Sequence, residues 1–350
     1  MIISIKKFCF VRFSTIFYNV KEKVLTMKKK SSIIFSLIFI TFFIVWLYLF
    51  TKYFGFALYK KHYPMPITMF FGGFIAGFTS EGGGAVAFPV FTKLLKVSPH
   101  IARDFSFCIQ SVGMTFASIV IVLRKIQVDL NVIKYATLGG VIGIIFGSLC
   151  LDPYIAPAVV RIIFSIVLAS FGIMIYMKNF KLKIIEIKKI SRLRKNEIIY
   201  LLMVGFAGGI FSSLIGTGGD FITFGFVVLY FKLNEKIATP TSVIIMALES
   251  IFGSLFRLFV VHDLSSEAVT YFSLCAPIVA LMAPLGSVLC SKVSRLFIVK
   301  FLLFLITVEF ITTLIIFKFK LMLVIPTIIM FGIQLILYRR FFKEKTTYPI

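Results

Sequence analysis

The sequence predicts an all-α, polytopic membrane helix bundle of two homologous, inverted repeats whose helices break at glycine-rich loops. Three observations carry that class. Charged residues make up 15 % of the 350-residue chain and mean hydropathy is +1.03, whereas a soluble domain carries about 25 % charge. Stretches free of Asp, Glu, Lys and Arg run over 31–51, 62–80, 105–123, 135–151, 198–219, 268–291 and 321–338. Most reach the roughly 20 residues that a spanning helix needs across a core of about 30 Å. Finally, Gly72, Gly73, Gly82, Gly83, Ala102 and Ser106 recur 136 residues later as Gly208, Gly209, Gly218, Gly219, Ala238 and Ser242.

Taken in order, the chain divides into a basic amino-terminal segment (1–31), a first helix (32–57), repeat 1 (66–177), a basic connector (178–197), repeat 2 (198–317), a last helix (321–338) and a basic tail (339–350). Repeat 1 reads as pieces at 66–79, 84–95, 105–123, 132–150 and 155–177; repeat 2 as 198–214, 219–231, 241–261, 267–290 and 296–317. Five pieces is an odd number, so the second unit enters the membrane with opposite orientation, the inverted plan of many secondary transporters. Met27, followed by Lys28, Lys29 and Lys30 and a long apolar run, reads as a start in its own right, which makes 1–26 a dispensable extension.

The formal net charge is +24, a balance that in a soluble protein points to nucleic acid. Its placement points elsewhere. Eight Lys/Arg lie in 1–30, eight between Lys178 and Lys195, and four from Arg339 onward. That distribution follows the positive-inside rule, with the amino end, connector and tail cytoplasmic and anionic lipid as a natural neighbour. No nucleic-acid partner is expected, since no folded module surrounds the basic runs. The five cysteines are widely spaced and mostly apolar in setting. His62, His100 and His262 form no metal-ligand spacing, and no Gly-x-Ser-x-Gly or Walker pattern occurs. An enzyme is therefore not expected, nor a metal or cofactor.

Glycines inside an apolar run are tolerated in lipid where the loosened backbone is buried in protein or lines a cavity. Two such loops stand out: Ser80, Glu81, Gly82, Gly83 and Gly84, and Gly216, Thr217, Gly218, Gly219 and Asp220. Successive N–H groups at the start of a half-helix can replace water around an anion, with hydroxyls of Ser80, Ser212, Ser213 and Thr217 as further donors. Alternatively the glycines only permit a tight helix crossing. The regular stripes Gly139/Gly143/Gly147, Gly73/Gly77 and Gly205/Gly209 are assigned to helix contact. Gln110, Ser111, Thr241 and Ser242 follow the loops and could line a pathway; after Pro240, Thr241 and Ser242 also fit a helix start capped by Thr239.

The paired loops, with Phe74-Ile75-Ala76-Gly77 before the first, Phe88-Pro89-Val90 after it and Ala238-Thr239-Pro240-Thr241-Ser242 after the second, resemble the TauE/SafE family of sulfite exporters. The likeness covers about 69–317. It implies a polytopic carrier of small sulfur-containing or organic anions, coupled to protons. The chain departs from the family's pattern where Ser80 and Asp220 replace glycine.

Glu81, Asp220 and Glu249 are costly in a bilayer, on the order of 2.5 to 3.5 kcal/mol each at its centre. They are proton-coupling candidates, or else structural acids neutralised by Arg103 or Arg257. Arg257 shares a helix face with Glu249, eight residues away, and the alternative reading has it facing the anion instead. The leading expectation is a secondary transporter that binds a small anion between the loops near the midplane, in the plasma membrane by default. The alternatives are a cation- or proton-linked carrier using the three acids, and a non-transporting scaffold or receptor.

Overall fold

The structure, a computed structural model, describes residues 31–80, 82, 90–155, 157–181, 186–190, 193–216, 219–316 and 332. The helix expected at 321–338 and the segment before residue 31 lie outside these, as does most of the first glycine loop. The helices are α1 (Ser31–Tyr53), α2 (Ala57–His62), α3 (Pro64–Phe78), α4 (Pro99–Leu123), α5 (Leu130–Phe146, continuing as a wider turn to Leu151) and α6 (Pro157–Tyr176). After the connector come α7 (Lys195–Ile215), α8 (Asp220–Leu229), α9 (Glu235–Phe256, continuing to Val261), α10 (Ser266–Lys292) and α11 (Arg295–Ile316). Among the described residues, seven helices are long and apolar enough to cross a membrane, and α3 and α8 are shorter apolar helices.

The 136-residue offset extends from the glycines to the helix starts. Pro99 and Glu235 begin α4 and α9, Leu130 and Ser266 begin α5 and α10, and the preceding caps, Ser98/Asn234 and Asp129/Ser265, keep the same spacing. Each cap side chain accepts a backbone N–H of its own first turn, satisfying donors that the helix itself leaves open. Helices α4 and α9 therefore start six residues before the 105 and 241 read from charge-free runs. Their first turns carry Arg103, Asp104, Glu235 and Lys236, and ion pairing makes the charge of the first three tolerable. Asn234, not Thr239, caps α9, and Thr241 sits inside the helix.

The two repeats interlock. Arm α7 packs chiefly on α5 of the other repeat, arm α3 packs on α10, and α4 lies along α9. Helices α4 and α9 run antiparallel: Arg103 near the start of α4 meets the end of α9 through shared carboxylates, while Thr241 near the start of α9 accepts the Asp129 N–H just beyond α4. The contact stripes are glycine because nothing larger fits. A Cβ on Gly209 would stand 2.0 Å from the Gly140 carbonyl oxygen, on Gly139 2.1 Å from that of Leu202, and on Gly77 1.8 Å from that of Ala283. Close backbone approach is a main source of helix attraction in lipid. Gly209→Ala is expected to destabilise by about 1–3 kcal/mol, the usual cost of overpacking, read as a lower melting temperature of the purified protein.

At the connector end, polar groups knit the helices together. Lys178, 1 % exposed, holds Glu235 at 3.0 Å, and Arg295 bridges Glu235 and Glu186. Ile187 pairs with the chain at Lys232–Asn234, and the Ile190 N–H reaches Asp129.

Candidate functional site

Helix α7 stops because Gly216 takes a left-handed conformation, φ +85°, on a spot where a Cβ would lie 2.2 Å from the Arg103 carbonyl oxygen. Only glycine meets both demands. The chain then turns back into α8, whose base is pressed against α7: a Cβ on Gly219 would be 1.8 Å from the Gly208 oxygen and 2.3 Å from Ser212 Oγ. Residues 217 and 218 lie outside the described set.

This hairpin places Asp220 at the first position of α8, where the positive pole of the helix favours a carboxylate. Opposite it, on α9, stands Glu249. Both are buried, at 3 % and 2 % exposure, and their carboxyl groups lie within electrostatic contact of one another. Asp220 Oδ1 and Glu249 Oε2 have no hydrogen-bond partner among the described residues, nor does the nearby Thr223 hydroxyl. No Lys, Arg or His among the described residues forms an ion pair with either acid. Two acids 29 residues apart in sequence are thus brought together with no counter-cation among the described residues.

Gly140 of α5 makes room for the pair, since a Cβ there would fall 1.8 Å from Glu249 Oε1. The obstructing atom is the end of a flexible side chain, so Gly140→Ala should fold and push Glu249 away from Asp220. The expected result is near-normal accumulation with transport reduced by about tenfold, on the order of 1.4 kcal/mol, measured as initial flux per mole of reconstituted protein.

The two arginines are engaged elsewhere. Arg103 contacts Asp104 at 2.9 Å, Asp152 at 2.5 Å and Asp263 at 3.2 Å; Arg257 contacts Asp263 at 2.5 Å, Asp152 at 3.0 Å and the Ser213 carbonyl at 2.8 Å. Asp104 also accepts the Ser265 N–H. Arg257 is fully buried, with Phe107 beneath its guanidinium and only Nε unpartnered. So neither arginine neutralises Asp220 or Glu249, contrary to that structural expectation. The network ties α4, the α5–α6 link, α7 and the α9–α10 link at one end of α9. Sequence reading missed Asp104, Asp152 and Asp263, although an acid directly after the charge-free run 135–151 is a detectable signal.

Other predicted site residues scatter. Ser80 is buried with its Oγ unpartnered, and Gly82 has φ +72°. Glu81, Gly83, Gly84, Thr217 and Gly218 lie outside the described residues. Ser213 and Ser111 donate to carbonyls of their own helices. Thr241 donates to Ile237 and receives the Asp129 N–H. Gln110 and Ser242 are buried, Ser242 with an unpartnered hydroxyl.

The described ends of the two arms lie toward opposite ends of α9. Gly77 of α3 shares a small cavity with Lys236 and Thr239 at the start of α9, whereas its counterpart Ser213 touches Arg257 at the end of α9. From Thr239 to Arg257 the helix rises about 27 Å. Helix α7, at 21 residues, is long enough to traverse nearly the whole hydrocarbon core.

Residues 65–312 match the family model described as sulfite exporter TauE/SafE, a span that takes in both arms and nearly all of α3 to α11. The chain belongs to the TauE/SafE family. No curated protein and no solved structure matches it. This TauE/SafE chain is a multi-pass membrane protein of a transporter family, for which the plasma membrane is the usual location. The family is not one of enzymes.

Proposed function

We propose that this TauE/SafE protein is a proton-linked secondary carrier of small anions, sulfur oxyanions foremost, with Asp220 and Glu249 as its proton-handling pair. The observation that carries the reading is the juxtaposition of two buried carboxyls that have no counter-cation among the described residues. With one shared proton the pair is singly negative; one more proton neutralises it. A proton and a monovalent anion can then cross together with no net charge, which avoids the cost of an isolated charge in lipid. Glu81 remains a candidate for the same task from the first loop.

The antiparallel course of α4 and α9, which are equivalent by offset, supports an inverted relation of the repeats and movement by rocking one against the other. Direct binding of a metal cation is less well supported, because no group of three or more His, Cys, Asp or Glu able to hold an ion occurs among the described residues. Family membership weighs against the scaffold reading. The test is flux of sulfite, sulfate and an organic sulfonate into proteoliposomes with and without a pH gradient. Gradient-stimulated movement of at least one anion is expected; no anion moved in either condition refutes the proposal.

A further inference from the structure

We infer that the first turns of α9 hold an oxyanion site at the connector-facing end of the carrier, built from Lys236 and Thr239 with Ser287 and Ser291 of α10; this rests on the anion-carrier reading above. These four side chains line a cavity of about 10 Å³ whose remaining wall is Gly77, Pro240, Cys290 and the apolar Ile121 and Ile126. Thr239 is 1 % exposed and its hydroxyl has no partner among the described residues. A buried hydroxyl left without a partner costs on the order of 1–3 kcal/mol, a debit that a bound acceptor would remove.

Lys236 is the cation of this cavity. Buried Lys178, Arg103 and Arg257 each hold a carboxylate, but Lys236 has no carboxylate partner among the described residues. Its neighbour Glu235 is already taken by Lys178 and Arg295. The Cys290 thiol lines the same cavity, and the positive pole of the 22-residue helix α9 adds to the field at Lys236. The hydroxyls of Ser287 and Ser291 donate to their own helix and can rotate toward a ligand. A cation, a free hydroxyl donor and two rotatable hydroxyls match an oxyanion with several acceptor oxygens.

The space accommodates no more than one water, so the site is closed in this conformation. Pro240 lies in its wall and interrupts the helical ladder by removing the N–H that would bond to Lys236, which makes this the turn of α9 most able to flex. Nine residues beyond Pro240, about 14 Å along the same helix, stands Glu249. A tilt of α9 at Pro240 would open the oxyanion site and shift the carboxyl pair together.

Two measurements on the full-length reconstituted protein test the site. In Lys236→Gln the KM for sulfate or methanesulfonate should rise about tenfold or more, as expected for loss of a charge-assisted bond, with the response to a pH gradient retained and Lys236→Arg close to wild type. In the unsubstituted protein, sulfate should slow labelling of Cys290 by N-ethylmaleimide, read peptide by peptide in a mass spectrometer. An unchanged KM in Lys236→Gln, or Cys290 labelling indifferent to sulfate, overturns the site. Absence of any anion flux in the unsubstituted protein overturns the carrier reading instead.

Discussion

Arg257→Ala should prevent the protein from accumulating in the membrane, and Arg257→Ala combined with Asp263→Asn should restore part of the loss. The guanidinium is fully buried and links Asp152, Asp263 and the Ser213 carbonyl. Removing it leaves Arg103 alone against three carboxylates. Breaking a buried pair by deleting one partner costs about 3–5 kcal/mol, because the remaining charge stays desolvated. That is a large part of the 5–15 kcal/mol that holds a typical domain together. Neutralising Asp263 returns the cluster to its original excess of one negative charge, although the bond to Ser213 remains lost. Fluorescence-detected gel filtration of membranes in mild detergent reads both effects. Equal accumulation of the single and double variants would show that the network's charge balance is not what stabilises this end of the bundle.

The second large effect concerns the carboxyl pair. Glu249→Gln is nearly isosteric, and its amide can donate to Asp220 where the proposed proton would be shared, so the fold should survive. What disappears is the ability of the pair to release and take up that proton. Asp220→Asn should act alike, since either acid alone lacks the partner that would hold the proton between them. Loss of a group that handles protons in a transport step is expected to lower gradient-driven flux by about 10²-fold or more.

The membrane class and the glycine contacts were legible in sequence because hydropathy and spacing report them directly. Gly139, Gly143, Gly205 and Gly209 sit where backbones touch, and the offset found in the loops also governs the starts of α4, α5, α9 and α10. Helix ends were less legible, because Arg103, Asp104 and Glu235 interrupt the charge-free runs and are tolerated only through partners distant in sequence. For the same reason Asp220 and Glu249 could be singled out as costly, but their juxtaposition could not be seen: nothing local to either predicts the other. Lys236 escaped notice because one lysine near a helix start is ordinary until its neighbours' charges are shown to be spent.

The central claim is that the Asp220–Glu249 pair carries the proton linked to anion movement. The most direct measurement compares anion uptake by proteoliposomes holding the unsubstituted protein or Glu249→Gln, each with and without an imposed pH gradient. The account predicts that the gradient accelerates uptake by the unsubstituted protein and leaves the residual uptake of Glu249→Gln unchanged. Equal acceleration of both would contradict it.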